Sequence, residues 1–348
     1  MSKPSYPWTA EPAPRPYARR MADFPEVRLH VVTGKGGTGK TTVAAALALA
    51  LASGGRKVLL VEVEGRQGIA QLFDTPPLPY EERKVAVAPG GGDVYALSID
   101  PEDALLDYLH MFYKLSRTGV AARTLRRIGA IEFATTIAPG LRDVLLTGKV
   151  KEAVVRQASG RHVYDAVVLD APPTGRIARF LNISHEIGGL AKVGPLKSQS
   201  DGVMAVLRSP QTAVHLVTLL EEMPVQETLD GVHDLQLIGL PVGGVVVNAV
   251  RAPLLHPADL RAAEDGQLDT AALTAGLEKA GLDAPAELVS SLAAEAGDHA
   301  VRVALEERGR DALGALERHS YELPLLADSV DLAGLYELAA LLREQGMA

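Results

Sequence analysis

Apolar residues in this chain are grouped into short continuous runs, separated by longer polar or amphipathic stretches. The first two runs, Val27–Thr33 and Lys57–Glu64, are predicted to be strands. Between them lies the alanine-rich segment Lys40–Ser53, which is typical of a buried helix and is followed by two glycines that end it. Strand, helix and strand in direct succession form a βαβ unit, which requires two parallel strands.

Later apolar runs extend the same pattern. Further strands are predicted at Val94–Ile99, Tyr164–Leu169, Val214–Leu219, Val242–Asn248 and Leu323–Leu326. Strand centres that are apolar at every position, such as Val245–Val247, indicate strands covered on both faces. The segment Pro76–Gly92, which contains PPLP and PGGG, is predicted to be a loop. The fold class is therefore α/β, with a doubly wound, mostly parallel sheet of seven or eight strands.

The N-terminal segment differs from the rest, because it carries five prolines in its first sixteen residues and no apolar run. We predict a disordered tail at residues 1–26 and one domain at residues 27–348. Long stretches between the strands predict helical insertions at about residues 102–158, 182–212 and 252–320.

Composition excludes several classes of site. The chain has no cysteine, which excludes disulfides, thiolate zinc sites and a cysteine nucleophile. Its formal net charge of −8 argues against sequence-independent binding of nucleic acid. No leader and no apolar run of membrane-spanning length is visible, so we expect a cytoplasmic protein.

Residues 34–42 read GKGGTGKTT and satisfy the phosphate-loop pattern G-x-x-x-x-G-K-[ST] between a strand and a helix. In such a loop the glycines let backbone N–H groups approach phosphate oxygens, and the helix N-terminus favours negative charge. Lys40 is expected on the β- and γ-phosphates and Thr41 on Mg²⁺. The predicted nucleotide contacts are Gly34, Gly36, Gly37, Thr38, Gly39, Lys40, Thr41 and Thr42.

A second candidate for metal binding follows the strand Tyr164–Leu169. Asp170 stands at its carboxyl end and precedes the turn Pro173-Thr174-Gly175. Ligands of open α/β sheets bind at this edge, and a carboxylate there can hold Mg²⁺ through water. We therefore predict Thr41 and Asp170 as the metal-associated pair.

Two segments carry a family resemblance. KGGTGKTT resembles the deviant phosphate loop of the signal-recognition and MinD class of nucleotide-dependent dimers, and DAPPTGRIARFL resembles the second switch of the arsenite-pump ATPase family. That family includes the guided-entry factor for tail-anchored membrane proteins. VLLVEVEGRQGIAQLF stands where the family has its first switch, and the resemblance extends over residues 27–345, more weakly across 252–320. Other phrases resemble an actinobacterial branch of anion-transporting ATPases.

The resemblance implies ATP and Mg²⁺ as cofactors and a dimer, either of identical chains or with a paralogue. It implies that Lys35 reaches the nucleotide of the facing subunit, and that Asn248 and Pro324 lie by the adenosine. A hydrophobic membrane-protein segment is the implied client. From residue chemistry alone, Asn248 could equally cap a strand end, and ATP is favoured over GTP only because no N-K-x-D string is present.

The chain also departs from the family. The family's water-positioning aspartate corresponds to Glu64. Glu62 lies two residues earlier, so on a strand it would share the face of Glu64, and it is the nearest rival for that role. The two switch histidines correspond to Gln67 and Arg176; the latter could bind phosphate, hold a dimer contact or lie free on the surface. Without cysteines, neither the family's metalloid site nor its zinc-closed dimer can form, so no zinc is expected.

These observations predict a Mg²⁺-dependent ATPase in which Lys35, Lys40 and Glu64 are catalytic and hydrolysis switches a dimer between conformations. The replacement of aspartate at position 64 keeps a second interpretation open, in which the chain is a nucleotide-binding scaffold for an active paralogue. A partition-type ATPase that binds DNA is a third interpretation, and the acidic charge balance disfavours it.

Overall fold

A computed structural model describes residues 22–113, 139–182, 194–327 and 330–348. Its main sheet has eight strands, which are β1 (Leu29–Gly34), β2 (Lys57–Glu62), β3 (Arg83–Val87), β4 (Asp93–Ser98), β7 (Ala166–Asp170), β8 (Thr212–Thr218), β9 (Val242–Val250) and β10 (Ser320–Pro324). Their order in the sheet is β10-β9-β8-β1-β7-β2-β4-β3, and all are parallel except the edge strand β3. A separate two-stranded ribbon pairs β5 (Gln157–Ala158) with β6 (Arg161–His162).

This architecture confirms the predicted fold class, and all seven predicted strands occur at their expected places with small shifts at the ends. The prediction of a loop over Pro76–Gly92 was wrong in part, because β3 lies inside it. Since β3 is an edge strand with no buried position, its residues lack the apolar run by which the central strands are recognised.

Helices cover both faces of the sheet. The bounds are α1 (Lys40–Ala52), α2 (Gly68–Leu72), α3 (Pro101–Tyr113), α4 (Pro139–Val155), α5 (Thr174–Leu181), α6 (Pro195–Leu207), α7 (Glu222–Leu237), α8 (Pro257–Glu264), α9 (Thr270–Lys279), α10 (Ala286–Gly314) and α11 (Leu332–Glu344). One core packs α1 and α11 against residues such as Val32 and Leu60; the other packs α3 to α7 against Val31 and Leu59. Alternate residues of each strand therefore serve opposite cores.

The alanine content of α1 follows from its position. Every residue of α1 from Val43 to Ala52 is buried, because the helix lies between the sheet and α11. Small side chains let the helix approach both neighbours closely, so a helix without a polar face is stable there.

The predicted insertions correspond to helices. Residues 102–158 hold parts of α3 and α4, residues 182–212 hold α6, and residues 252–320 hold α8 to α10. Residues 114–138 and 183–193, in the middle of the first two insertions, lie outside the described residues. The long helix α10 packs on α7 and α8 and leads into β10.

The predicted end of the N-terminal tail, at residue 26, is a few residues too late. The Asp23 N–H donates to the Gly346 carbonyl at 2.7 Å, and the Asp23 carboxylate accepts a hydrogen bond from Tyr321. The Phe24 ring lies edge-on to His215 with centroids 4.9 Å apart. Asp23 and Phe24 therefore belong to the packed domain, whereas Pro25 and Glu26 are exposed.

Two fully buried histidines lie beside Phe24. His30 Nδ1 is 3.0 Å from His215 Nε2, and His215 Nδ1 accepts a hydrogen bond from the Gly244 N–H. That acceptor role places the His215 proton on Nε2, so His215 donates to His30. Burial lowers the pKa of both rings, that of His30 to about 3, and both are neutral at pH 7.

In the described part of the chain, no helix has the length and apolar character needed to cross a membrane.

Candidate functional site

The phosphate-loop sequence lies at the centre of the sheet. It follows β1, which pairs with β7 and β8, and it ends where α1 begins at Lys40. Because all three strands are parallel, the loop shares the carboxyl edge of the sheet with Asp170 at the end of β7. This is the edge at which open α/β sheets bind ligands.

The loop is held by its own side chains. Thr38, only 1% exposed, donates its hydroxyl hydrogen bond to the Lys35 carbonyl at 2.9 Å. The Lys40 ammonium donates to the same carbonyl at 3.2 Å, and partial burial lowers its pKa. A Cβ at Gly36 or Gly37 would meet no atom within 4 Å, so this side of the loop is open to a ligand.

Asn248 lies against the loop rather than capping its strand. Its side-chain amide donates to the Thr38 carbonyl at 2.9 Å. Gly39 has φ +84°, and a Cβ there would lie 2.3 Å from Asn248 Nδ2, so glycine is required for both reasons. A register shift where β9 pairs with β10, with Ala249 at φ +54°, marks a bulge of the kind that re-aims a side chain.

Thr41 and Asp170, which were predicted as the metal-associated pair, are hydrogen-bonded to each other, and their role in holding a metal stays a prediction. The Thr41 hydroxyl donates to Oδ2 of Asp170 at 2.7 Å, and the aspartate is only 8% exposed. Burial raises the pKa of Asp170 to about 6, opposed by the Thr41 hydrogen bond and the Lys40 charge. Thr33 donates to the Pro172 carbonyl at 2.7 Å and fixes the segment after Asp170 to the end of β1.

This donor set fits Mg²⁺. A hydroxyl and a carboxylate are hard oxygen ligands, and Mg²⁺ commonly takes only one or two protein carboxylates beside waters and substrate phosphates. Among the described residues there is no group of three or more His, Cys, Asp or Glu side chains placed to hold a metal. A metal held mainly by side chains, as in structural zinc sites, therefore does not fit here, whereas a nucleotide-bound Mg²⁺ does.

Residues 62–68 lie within the predicted first switch and are called the first switch segment below. Side-chain hydrogen bonds hold this segment in position. The Glu62 carboxylate accepts the Gly68 N–H at 3.1 Å. The Gln67 side chain both accepts the Leu78 N–H at 2.7 Å and donates to the Leu78 carbonyl at 3.2 Å. No local pattern indicates the contact between Gln67 and Leu78, because only folding brings the loop before β3 to Gln67.

Glu64 occupies a different environment from Glu62. We expected the two to share a strand face, but β2 ends at Glu62 and the chain turns at Gly65, with φ +66°. Glu64 consequently points to a cavity of about 220 Å³, where it lies 3.5 Å from Arg66 and 3.7 Å from Arg176. Arg176 thus joins the second switch segment, residues 170–176, to the first.

Lys35 already has a partner within one copy of the chain. Its ammonium lies 2.8 Å from Oε1 of Glu227 on α7. The structure describes one chain, so the cross-subunit role predicted for Lys35 stays a prediction.

For two of the residues predicted to contact the nucleotide, Pro324 and Thr42, this geometry adds little support. Pro324 is exposed at the end of β10, where it is paired in register with Val250. Thr42 is half-buried in the first turn of α1. The nucleotide-contacting roles of these two residues, like those of Asn248 and the residues of the phosphate loop, stay predictions.

Comparison with known proteins agrees with this site. Residues 27–210, more than half of the chain, match the family described as anion-transporting ATPase. The chain belongs to this family. It is 58% identical to ATPase BagA of Mycobacterium tuberculosis over 322 residues, which cover 92% of this chain and 94% of that protein. The same figures hold for a putative ATPase of Mycobacterium bovis.

More distant relatives include arsenical pump-driving ATPases, the group that the resemblance indicated, and ATPase GET3. The chain is 26% identical to a putative arsenical pump-driving ATPase of Aquifex aeolicus over 64% of this chain and 80% of that protein. It is 29% identical to ATPase GET3 of Podospora anserina over 55% of this chain and 53% of that protein. The predicted family is therefore confirmed, and the matched range contains the phosphate loop, both switch segments and Asp170.

Proposed function

We propose that the protein is a Mg²⁺-dependent ATPase that uses nucleotide binding and hydrolysis to switch a dimer between conformations. The observation that carries this proposal is the Thr41–Asp170 hydrogen bond of 2.7 Å at the end of the phosphate loop. When bound, Mg²⁺ would neutralise phosphate charge; Thr41 and Asp170 are the residues that would hold it. Lys40 would hold the phosphates by charge, and Glu64 would orient the attacking water.

Hydrolysis of Mg²⁺-ATP by the purified protein tests this proposal directly. Lys40→Ala should lose turnover by on the order of 100-fold or more, because phosphate charge in the transition state loses its nearest cation. Lys197→Ala is a matched control, since this lysine lies on α6 and pairs with Asp201. Equal turnover in the Lys40 variant and the wild type would contradict the proposal.

The cross-subunit role of Lys35 can be tested by mixing two inactive variants. Lys35→Ala should lose turnover but still bind nucleotide, whereas Lys40→Ala retains a lysine at position 35. In a mixed dimer the Lys35→Ala subunit would receive that lysine from its partner, so activity should return to about a quarter of the wild-type level, assuming random pairing. A mixture that stays inactive would overturn the role in trans.

A scaffold function is the second candidate, and the position of Glu64 favours it. Both arginines that flank this carboxylate compete with a water for its oxygens. In this case the isolated protein would bind ATP but hydrolyse it slowly, and adding the paralogous subunit would raise turnover. Turnover by the isolated chain that the paralogue does not increase would contradict this candidate.

A hydrophobic membrane-protein segment is the proposed client, on the strength of the family resemblance. An exposed apolar side chain on the first insertion that suits such a contact is Met111, which is 61% exposed at the rim of a cavity of about 320 Å³ between α3 and α4. A labelled apolar helical peptide should bind in the presence of Mg²⁺-ATP, and Met111→Lys should weaken this binding. Val301→Lys, at an exposed apolar position on α10, is the control.

A further inference from the structure

Glu62 is a buried carboxylate with one oxygen left over. The residue is 3% exposed at the last position of β2. Its Oε1 accepts the Gly68 N–H, but Oε2 is buried without a hydrogen-bond partner among the described residues. A buried carboxylate oxygen without a partner is costly, and adding a proton would only replace an unpaired acceptor with an unpaired donor.

Glu62, whose Oε2 has no partner, lies beside both members of the Thr41–Asp170 pair. In the sheet, Glu62 is the direct register neighbour of Asp170, so the two side chains leave the sheet on the same face. Gly68, which donates to Glu62, lies so close to Thr41 that a Cβ on it would be 3.2 Å from the threonine methyl. Glu62, Asp170 and Thr41 therefore lie close together beside the N-terminus of α1.

A purely structural role explains only half of this arrangement. The first switch segment is held through Oε1, a contact that a glutamine would keep, and the backbone N–H groups of Arg66 and Gln67 also act on the Glu62 carboxylate. Oε2 nevertheless has no partner within hydrogen-bond distance among the described residues. A second buried carboxylate beside Asp170 also adds repulsion, because each negative charge disfavours the other. A cation between them, or water molecules bound to that cation, would remove this repulsion and give Oε2 its partner.

We propose that Glu62 is a positioning residue for Mg²⁺ at the nucleotide site, and that its Oε2 accepts a hydrogen bond from metal-bound water beside Asp170. Glu62 thereby joins the metal site to the first switch segment through its second oxygen and the Gly68 N–H. Glu64, two residues later, does not share this task, because its carboxylate lies among arginines. This inference rests on the proposed Mg²⁺-dependent function and gives Glu62 a role at that site other than the water-orienting role for which it is the rival of Glu64.

Glu62→Gln tests the proposal because it keeps an oxygen for the Gly68 N–H and changes only the left-over position. Binding of a fluorescent ADP analogue is titrated with Mg²⁺, and again in EDTA without metal. The variant should need on the order of 10- to 100-fold more Mg²⁺ for half-maximal effect, as for other outer partners of metal ligands. Its affinity for the analogue in EDTA should stay at the wild-type value.

Two further variants separate the outcomes. Glu287→Gln makes the same chemical change at an exposed glutamate in the first turn of α10 and should move the Mg²⁺ midpoint by no more than about twofold. Glu62→Asp keeps the charge at a shorter reach and should restore part of the lost Mg²⁺ affinity. Melting temperatures in EDTA check that each variant is folded.

An unchanged Mg²⁺ midpoint in Glu62→Gln, with normal Mg²⁺-dependent binding by the wild type, would overturn the role of Glu62 and leave the proposed function standing. A wild-type protein whose nucleotide binding ignores Mg²⁺ would overturn both. Reduced affinity in EDTA as well as in Mg²⁺ would also overturn it, since that result indicates a general defect of the first switch segment.

Discussion

The ammonium nitrogen of Lys35 lies 2.8 Å from a carboxylate oxygen of Glu227, and the two side chains are 30% and 35% exposed. The lysine that is proposed to reach a facing subunit is therefore already engaged within its own chain. Partly solvated ion pairs of this kind contribute roughly 0.2–1 kcal/mol. Opening this ion pair would therefore be a small energetic step in the proposed cross-subunit role of Lys35.

Removing the Glu227 charge should therefore favour the dimer. A closing homodimer opens two such pairs, so Glu227→Gln should tighten the nucleotide-bound dimer by roughly 2- to 30-fold, with less effect at high salt. Sedimentation in Mg²⁺-ATP measures this, and Asp230→Asn, on the same helix, is the control. A weaker dimer would show instead that Glu227 itself takes part in the contact between subunits.

The phosphate loop should tolerate a methyl group at one glycine and not at another. Gly39→Ala places a Cβ 2.3 Å from the Asn248 amide at φ +84°, whereas Gly36→Ala places it in open space. Without nucleotide, we expect Gly39→Ala to lower the free energy of unfolding by about 1–3 kcal/mol and Gly36→Ala by less than about 1 kcal/mol. Urea unfolding measures both.

A second substitution shows whether the clash is the cause. Asn248→Ala removes the amide that the new methyl would meet, so the double variant should recover part of the loss, and only the strain from φ should remain. Strictly additive losses would argue that the amide has moved away from the loop.

Stability should fall in mild acid because of the buried histidine pair. The pKa of each ring is lower in the folded chain than the usual value near 6.5, so the unfolded chain binds protons that the folded chain cannot. The contribution is fully present above about pH 6.5 and is lost as pH falls below it, by about 1.4 kcal/mol per pH unit for each ring. From pH 7 to pH 5 the pair should remove roughly 4 kcal/mol of unfolding free energy.

Replacing one ring isolates this effect from the titration of carboxylates. His30→Gln cannot take up the proton, so about half of the histidine-dependent loss between pH 7 and pH 5 should disappear. The charged group that also acts on His30 is Arg56, and it is unchanged in this variant. His319→Gln, at a half-exposed histidine 3.4 Å from Asp23, should leave most of the pH dependence in place.

Local signals account for what the sequence predicted correctly. The central strands are covered on both faces, so their composition is apolar throughout, and the phosphate loop has a motif whose glycines and lysine have fixed tasks. The edge strand β3 was missed because it is half-exposed, and its residues resemble those of a loop. The two glutamates at the end of β2 were placed on one face because the sequence does not mark where the strand ends.

Contacts between distant segments could not be predicted. Lys35 and Glu227 are separated by almost two hundred residues, and nothing in the sequence around Glu227 marks it as the partner of the loop lysine. The same holds for Asn248, whose approach to Thr38 depends on the bulge in β9. Both relationships follow from the strand order, which places β8 and β9 beside the loop only after the sheet has formed.

The double hydrogen bond between Gln67 and the backbone of Leu78 also gives the site an internal reporter. Leu78 lies in the loop before β3, outside the metal–phosphate pair, yet its amide proton is held by a side chain of the first switch segment. If the proposed switch breaks this contact on nucleotide binding or release, the Leu78 amide would become exposed to exchange with solvent. The exchange rate at Leu78 offers a spectroscopic measure of the switch that does not depend on turnover, on the partner subunit or on the identity of the client.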